Sequence, residues 1–303
     1  MTAFADRLTE RVRALGHPLC AGLDPHLERI PPLFRSGSME PAAPETAAAV
    51  ERFCVAVLDR LAGRVAVVKP QAAFFERLGW PGVRALCAVM RAARERDLLV
   101  LLDAKRGDIG STARAYAEGW LGSEAPARAD ALTVNPYLGL DSLEPFAKTA
   151  EATGAGVFVL VRTSNAGAQD FQSLPTGDRP LFERVAESLA PLAERLAAPR
   201  SGWSSLGVVV GATWPEESRR VRELLPRALF LVPGFGAQGA SAGDALAGLV
   251  PGPDGRPEGG VVSSSRALLF PEAAAAADAG AWERAIDEAV DRAAEALSGG
   301  ARA

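Results

Sequence analysis

The strongest constraint on the fold is an alternation that runs through nearly the whole chain. Short apolar runs recur at 19–23, 65–69, 98–103, 131–135, 157–161, 207–211, 229–232 and 260–263, each followed by a longer stretch with apolar positions at helical spacing. Near-continuous hydrophobic strands alternating with amphipathic helices are what a parallel sheet covered on both faces requires, and about eight such units close the sheet on itself. Between the first two runs, Val50, Phe53, Val57, Leu58 and Leu61 share one helical face, and Gly63 follows as the expected cap. Similar patterns fill 82–96, 142–153, 181–196, 216–225 and 281–297 without an interruption that would mark a second domain. The expectation is therefore an α/β protein, a single (β/α)8 TIM barrel over residues 1–303.

Three connections, 30–44, 163–180 and 239–259, are richer in Pro, Gly and Ser than the rest. Loops of this length in a compact domain are usually lids or inserts, and each follows an expected strand. That places them on the C-terminal rim, where barrel active sites are assembled.

With 48% hydrophobic residues the 303-residue chain has ample material for a core. A net charge of -4, spread over interspersed acids and bases, gives no basic stripe for nucleic acid. No apolar run reaches membrane-spanning length, and residues 1–16 read as an amphipathic charged segment rather than a signal core, so a cytoplasmic protein is expected. Cys20, Cys54 and Cys87 form no CxxC pair and are expected as buried apolar residues rather than a disulfide framework or thiolate metal site. Two histidines exclude a three-histidine metal centre. His17, between Gly16 and Pro18, reads as structural, whereas His26 follows Asp24-Pro25 and could approach a ligand.

The most informative segment is Leu102-Asp103-Ala104-Lys105-Arg106-Gly107-Asp108, where an apolar strand runs straight into four charges. Residues two apart on a strand face the same way, so Asp103 and Lys105 are expected to project together into the barrel mouth, with Asp108 on the loop beyond. Lys69 ends the preceding strand and Asp24 ends the first. Charges at adjacent strand ends converge on one cavity, and alternating Lys and Asp keep each other ionised there. A rim salt-bridge network is the plainer account of the same residues.

A second element is Pro233-Gly234-Phe235-Gly236-Ala237-Gln238-Gly239. It matches the spacing of the dinucleotide fingerprint but sits at the seventh strand instead of the first βα turn, which argues against a dinucleotide. Glycines after strand seven instead let backbone N–H groups face a phosphate. Ser263, Ser264, Ser265 and Arg266 end strand eight, where a helix start, hydroxyls and a guanidinium would complete a monophosphate clamp. Two further polar sets, Thr133, Asn135 and Tyr137, and Arg162, Thr163, Ser164 and Asn165, suit recognition of a planar base or simple turn-forming roles.

Asp103-x-Lys105-x-x-Asp108, preceded by Lys69 and Asp24 and followed by Pro233-Gly-x-Gly-x-Gln238 and Arg266, resembles the orotidine 5'-monophosphate decarboxylase family, in its longer bacterial form. The resemblance spans about Leu19 to Phe270. It implies a cofactor-free enzyme that makes UMP, with Lys105 as proton donor to C6 and Asp103 beside the substrate carboxylate. Lys69 would contact the ribose and Asp24 a ribose hydroxyl. Ser164 would touch the pyrimidine, Asn135 would lie at the same site, and Pro233, Gly234, Gly236, Gln238, Ser265 and Arg266 would hold the 5'-phosphate. Asp108 and Thr112 would reach the neighbouring subunit's site, which implies a homodimer. Sugar-phosphate decarboxylases and synthases of the same structural group share the Asp-x-Lys-x-x-Asp segment but use Mg2+, whereas Lys69 puts a cation where a metal route favours an oxygen ligand. A non-catalytic phosphate-ligand sensor on a barrel scaffold is a further alternative that the full charge array disfavours.

Overall fold

In a computed structural model that describes residues 2–236, 239–275 and 278–299, eight parallel strands close into a barrel. They are β1 (Leu19–Leu23), β2 (Val67–Pro70), β3 (Leu99–Arg106), β4 (Ala131–Val134), β5 (Gly156–Arg162), β6 (Ser204–Val210), β7 (Ala228–Val232) and β8 (Gly260–Ser264), each paired with its neighbours in sequence and β8 with β1. Helices Thr46–Leu61, Gly79–Glu95, Gly110–Leu121, Leu140–Thr153, Leu181–Arg195, Pro215–Leu224 and Ala279–Leu297 wrap the outside. The first ends at Ala62, and Gly63 then turns the chain with a φ of 71° that disfavours a side chain.

Alternation along the strands sorts the core into two parts. Outward residues such as Val68, Val100, Leu102, Leu132, Val159 and Val208 pack under the helices. Inward residues Cys20, Val67, Leu99, Leu101, Ala131, Phe158, Leu229 and Val261 fill the lower barrel. An additional helix, α1 (Phe4–Leu15), closes the bottom: Phe4 meets the edge of Phe158 with ring centroids 5.9 Å apart, and the Ala5 N–H donates to Ser205 Oγ at 3.2 Å. The barrel is thus a plugged cup, apolar at the base and open above.

The long connections carry structure of their own. Segment 163–180 holds helix Ala168–Gln172 and a small antiparallel hairpin, Pro175–Thr176 with Arg179–Pro180. Segment 239–259 departs from the expectation that it stays on the rim. It begins at the mouth, passes through helix Ala242–Leu246, and ends beneath the barrel as the hairpin Val250–Pro251 with Pro257–Glu258. There Glu258 accepts from Arg13 Nε at 2.6 Å and from Trp203 Nε1 at 2.7 Å, tying the insert to α1. The reason is topological: the segment must deliver the chain to the lower end of β8. Among the described residues no helix is long and apolar enough to cross a membrane.

Candidate active site

Toward the mouth the interior side chains turn polar on β2, β3 and β8, while Leu160, Val209 and Leu231 keep β5, β6 and β7 apolar there. Lys69 stands two residues above Val67, Asp103 two above Leu101, and Ser263 two above Val261. They border a cavity of about 470 Å³ at the mouth, lined also by Asp24, Gln71, Lys105, Leu160, Val209, Leu231, Thr163, Ser164, Asn165, Pro233, Gly234, Phe235, Ser265 and Arg266.

Asp103 is the centre of this site. It is only 6% exposed, and both oxygens are fully engaged. Oδ2 accepts from Lys69 Nζ and from Gln71 Nε2, each at 2.9 Å. Oδ1 accepts from Lys105 Nζ at 2.7 Å and from Thr133 Oγ1 at 2.9 Å. Burial alone pushes a carboxyl up, but the two ammonium groups outweigh it and hold Asp103 well below the usual carboxylate range. Burial likewise acts to lower Lys69, and the facing Asp103 and Asp24 carboxylates reverse the sign, so its ammonium is held above its ordinary value. The pair is buried on both sides, with Leu160, Val209 and Leu231 as apolar walls that strengthen fields inside the cavity.

Lys105 reaches Asp103 by a route different from the regular pleat. Its φ is 49°, in the left-handed region, and the β3–β4 register shifts between Leu102 and Arg106. Because Leu102 pairs with Leu132 and Arg106 with Val134, residues Asp103, Ala104 and Lys105 face Thr133 alone. The kink turns the lysine back over the carboxylate while leaving its side chain 45% exposed to the cavity.

Two buried polar atoms point to a ligand: Asp24 Oδ1 and Ser265 Oγ, both of cavity residues, have no hydrogen-bond partner among the described residues. A hydroxyl-bearing ligand would satisfy them. Ser265 and Arg266 lie at the start of a short helix, Arg266–Leu269. Gly234 and Gly236 take positive φ, 104° and 72°, where the chain turns sharply after β7.

Other expected site residues sit elsewhere. Gly236 lies outside the cavity lining, and Gln238 lies outside the described residues. Asn135 is also outside the lining, its Oδ1 accepting from the Tyr137 N–H at 3.0 Å, which makes it a turn residue. Asp108 and Thr112 stand on the rim beyond the cavity, Asp108 Oδ1 accepting from the Ile109 N–H at 2.8 Å. Arg162 leaves the interior at a register shift in β5 and stacks 4.2 Å from Trp214 while pairing with Glu217, so it braces segment 163–180. His26 packs on Phe74 at 4.5 Å between ring centroids and does not line the cavity, and His17 is buried with its charged form disfavoured. Cys20 and Cys54 are buried as expected; Cys87 is half-buried. Sequence reasoning missed Gln71 and misjudged Thr133. The pleat rule that picks out Lys69 would have found Gln71 two residues on.

A parallel barrel whose mouth clamps one buried carboxylate between two ammonium groups, beside an unpartnered carboxylate oxygen and hydroxyl, defines a (β/α)8-barrel enzyme for a small polar ligand. Residues 17–279 match the model of the orotidine 5'-phosphate decarboxylase / HUMPS family, and the chain belongs to that family. It is 44% identical to an orotidine 5'-phosphate decarboxylase of Rhodopirellula baltica, over 99% of this chain and 100% of that one. A protein of the same name from Deinococcus radiodurans is 42% identical over 88% of this chain and 89% of its own. Among solved structures, a putative orotidine-monophosphate-decarboxylase from Toxoplasma gondii superposes with a TM-score of 0.78 at 35% identity, covering 98% of this chain and 99% of that one.

Proposed function

We infer that the chain decarboxylates orotidine 5'-monophosphate to UMP and CO2, the last step of de novo UMP synthesis (EC 4.1.1.23). The observation that carries this reading is Asp103 fixed between Lys69 and Lys105 in a cavity with apolar walls. Loss of CO2 from C6 of orotate leaves a carbanion without a conventional electron sink. A preorganised ammonium must stabilise that charge as it develops and then deliver a proton, and Lys105 would do both. Asp103 would stand beside the departing carboxylate and keep Lys105 aimed. Lys69 and Asp24 would take the ribose hydroxyls, and the free acceptor on Asp24 supports that assignment. Ser164 would contact the pyrimidine, while Pro233, Gly234, Gly236, Gln238, Ser265 and Arg266 would hold the phosphate, whose binding energy organises the site.

Asp108 and Thr112 would serve the site of a second copy. Beside them Ile109, Tyr137, Leu138 and Leu140 are each at least half exposed, an apolar patch of the kind a homodimer covers. The reaction is assigned to the cytoplasm, in keeping with three unpaired cysteines.

The test is direct. Purified protein added to orotidine monophosphate should abolish the orotate absorbance, and activity should survive prolonged chelation. Activity lost to EDTA and regained with Mg2+ would favour the sugar-phosphate chemistry found elsewhere in this structural group, although Lys69 puts a cation beside Asp103 where a metal route favours an oxygen ligand.

A further inference from the structure

We propose that Thr133 is a positioning residue for the decarboxylation, holding Lys105 and Asp103 in register through one hydroxyl. This rests on the decarboxylase reading of the site. Thr133 is fully buried on β4 and forms no part of the cavity wall. Its Oγ1 accepts from the Lys105 backbone N–H at 2.9 Å and donates to Asp103 Oδ1 at 2.9 Å.

The direction of both bonds is forced. A backbone N–H only donates, so it occupies a lone pair of the hydroxyl, whose single proton is left for the carboxylate. Every group around Asp103 is then a donor, and the carboxylate plane is fixed by four of them. The same hydroxyl replaces a ladder bond that the register shift removes. Three residues of β3 oppose Thr133 alone, and without its side chain the Lys105 N–H would lose its hydrogen-bond partner in a backbone conformation few side chains adopt. Thr133 thus sustains the kink that points Lys105 at Asp103.

Substitution of Thr133 by Val keeps the shape and removes the hydroxyl; Thr133→Ser keeps the hydroxyl. In Thr133→Val, kcat should fall roughly 10- to 100-fold, because one amide is orphaned and one carboxylate bond is lost. KM and UMP affinity should stay within about threefold, since nothing is removed from the cavity wall. Thr133→Ser should recover most of kcat. Hydrogen exchange at the Lys105 amide supplies a readout independent of turnover: protected in wild type and Thr133→Ser, fast in Thr133→Val. An unchanged kcat in folded Thr133→Val, a Ser variant as impaired as the Val variant, a loss confined to KM, or a Lys105 amide equally protected in all three would each overturn the proposal. Wild-type protein that fails to decarboxylate orotidine monophosphate would instead sink the functional reading, and the exchange result would still judge the hydrogen bonds.

Discussion

At the scale of single residues the site is an argument about charge held where water is scarce. On the proposed assignment, truncating Lys105 to Ala would remove the cation from the carbanion but nothing from the phosphate end, so kcat should drop about 10³-fold or more while UMP binding changes little. Comparable loss of UMP affinity, measured by titration calorimetry, would move Lys105 out of the proton-donor role. The ionisation of the buried pair gives a second expectation. Asp103 is depressed below its ordinary 3.8, so its contribution to stability is fully present above that pH and is lost as pH falls through its folded value. Lys69 is raised above 10.5, so its contribution is complete below that pH and is lost only as pH rises past its folded value. Between those limits neither group titrates. Melting temperature against pH should therefore fall more steeply on the acid side in wild type than in Asp103→Asn; parallel curves would show that Asp103 is not held ionised by its neighbours. Lys69, Asp103 and Asp24 were legible in the sequence because a strand's period of two fixes which side chains reach the mouth. Lys105 was reached by the same rule for a reason the structure corrects, since its aim comes from a kink that no local pattern announces. Thr133 was visible as a polar residue at a strand end, but its partners are 28 and 30 residues away in sequence.

Among the elements, α1 separates what stabilises the barrel from what works in it. Phe4 is completely buried against Phe158 and beside Gly156, where any side chain would collide with its ring. Phe4→Ala should cost about 3 kcal/mol by opening a cavity at the base, lowering the melting temperature by several degrees. The kcat/KM of the folded enzyme should be unchanged, because the charged residues of the mouth lie at the other end of the strands. A matching drop in kcat/KM would mean that the base and the mouth are mechanically coupled. Strands and outer helices could be read in advance, since their apolar periods are long and uninterrupted. The hairpin of Val250–Pro251 with Pro257–Glu258 could not: its Pro- and Gly-rich sequence says turn, and only the barrel's closure decides that it belongs beneath β8.

For the molecule as a whole, the rim position of Asp108 and Thr112 leads to a test of shared sites. If two copies share their sites as proposed, Lys105→Ala and Asp108→Asn homodimers should each be nearly inactive. Mixed, dissociated and reassociated, half the dimers should be hybrids, and each hybrid gathers both defects into one site and leaves the other intact. Activity should return to roughly a quarter of wild type. No recovery, with exchange confirmed by mass, would show that Asp108 serves its own chain. The register shift at β3 also bears on anyone transplanting this chemistry to an idealised barrel. On a regular strand, Asp-x-Lys sets its two side chains about 7 Å apart along the axis, so the lysine would have to bend along the strand to meet the acid. A graft would need the two surplus residues in one strand and a hydroxyl on the next, so the transferable unit is a pair of neighbouring strands rather than a three-residue motif.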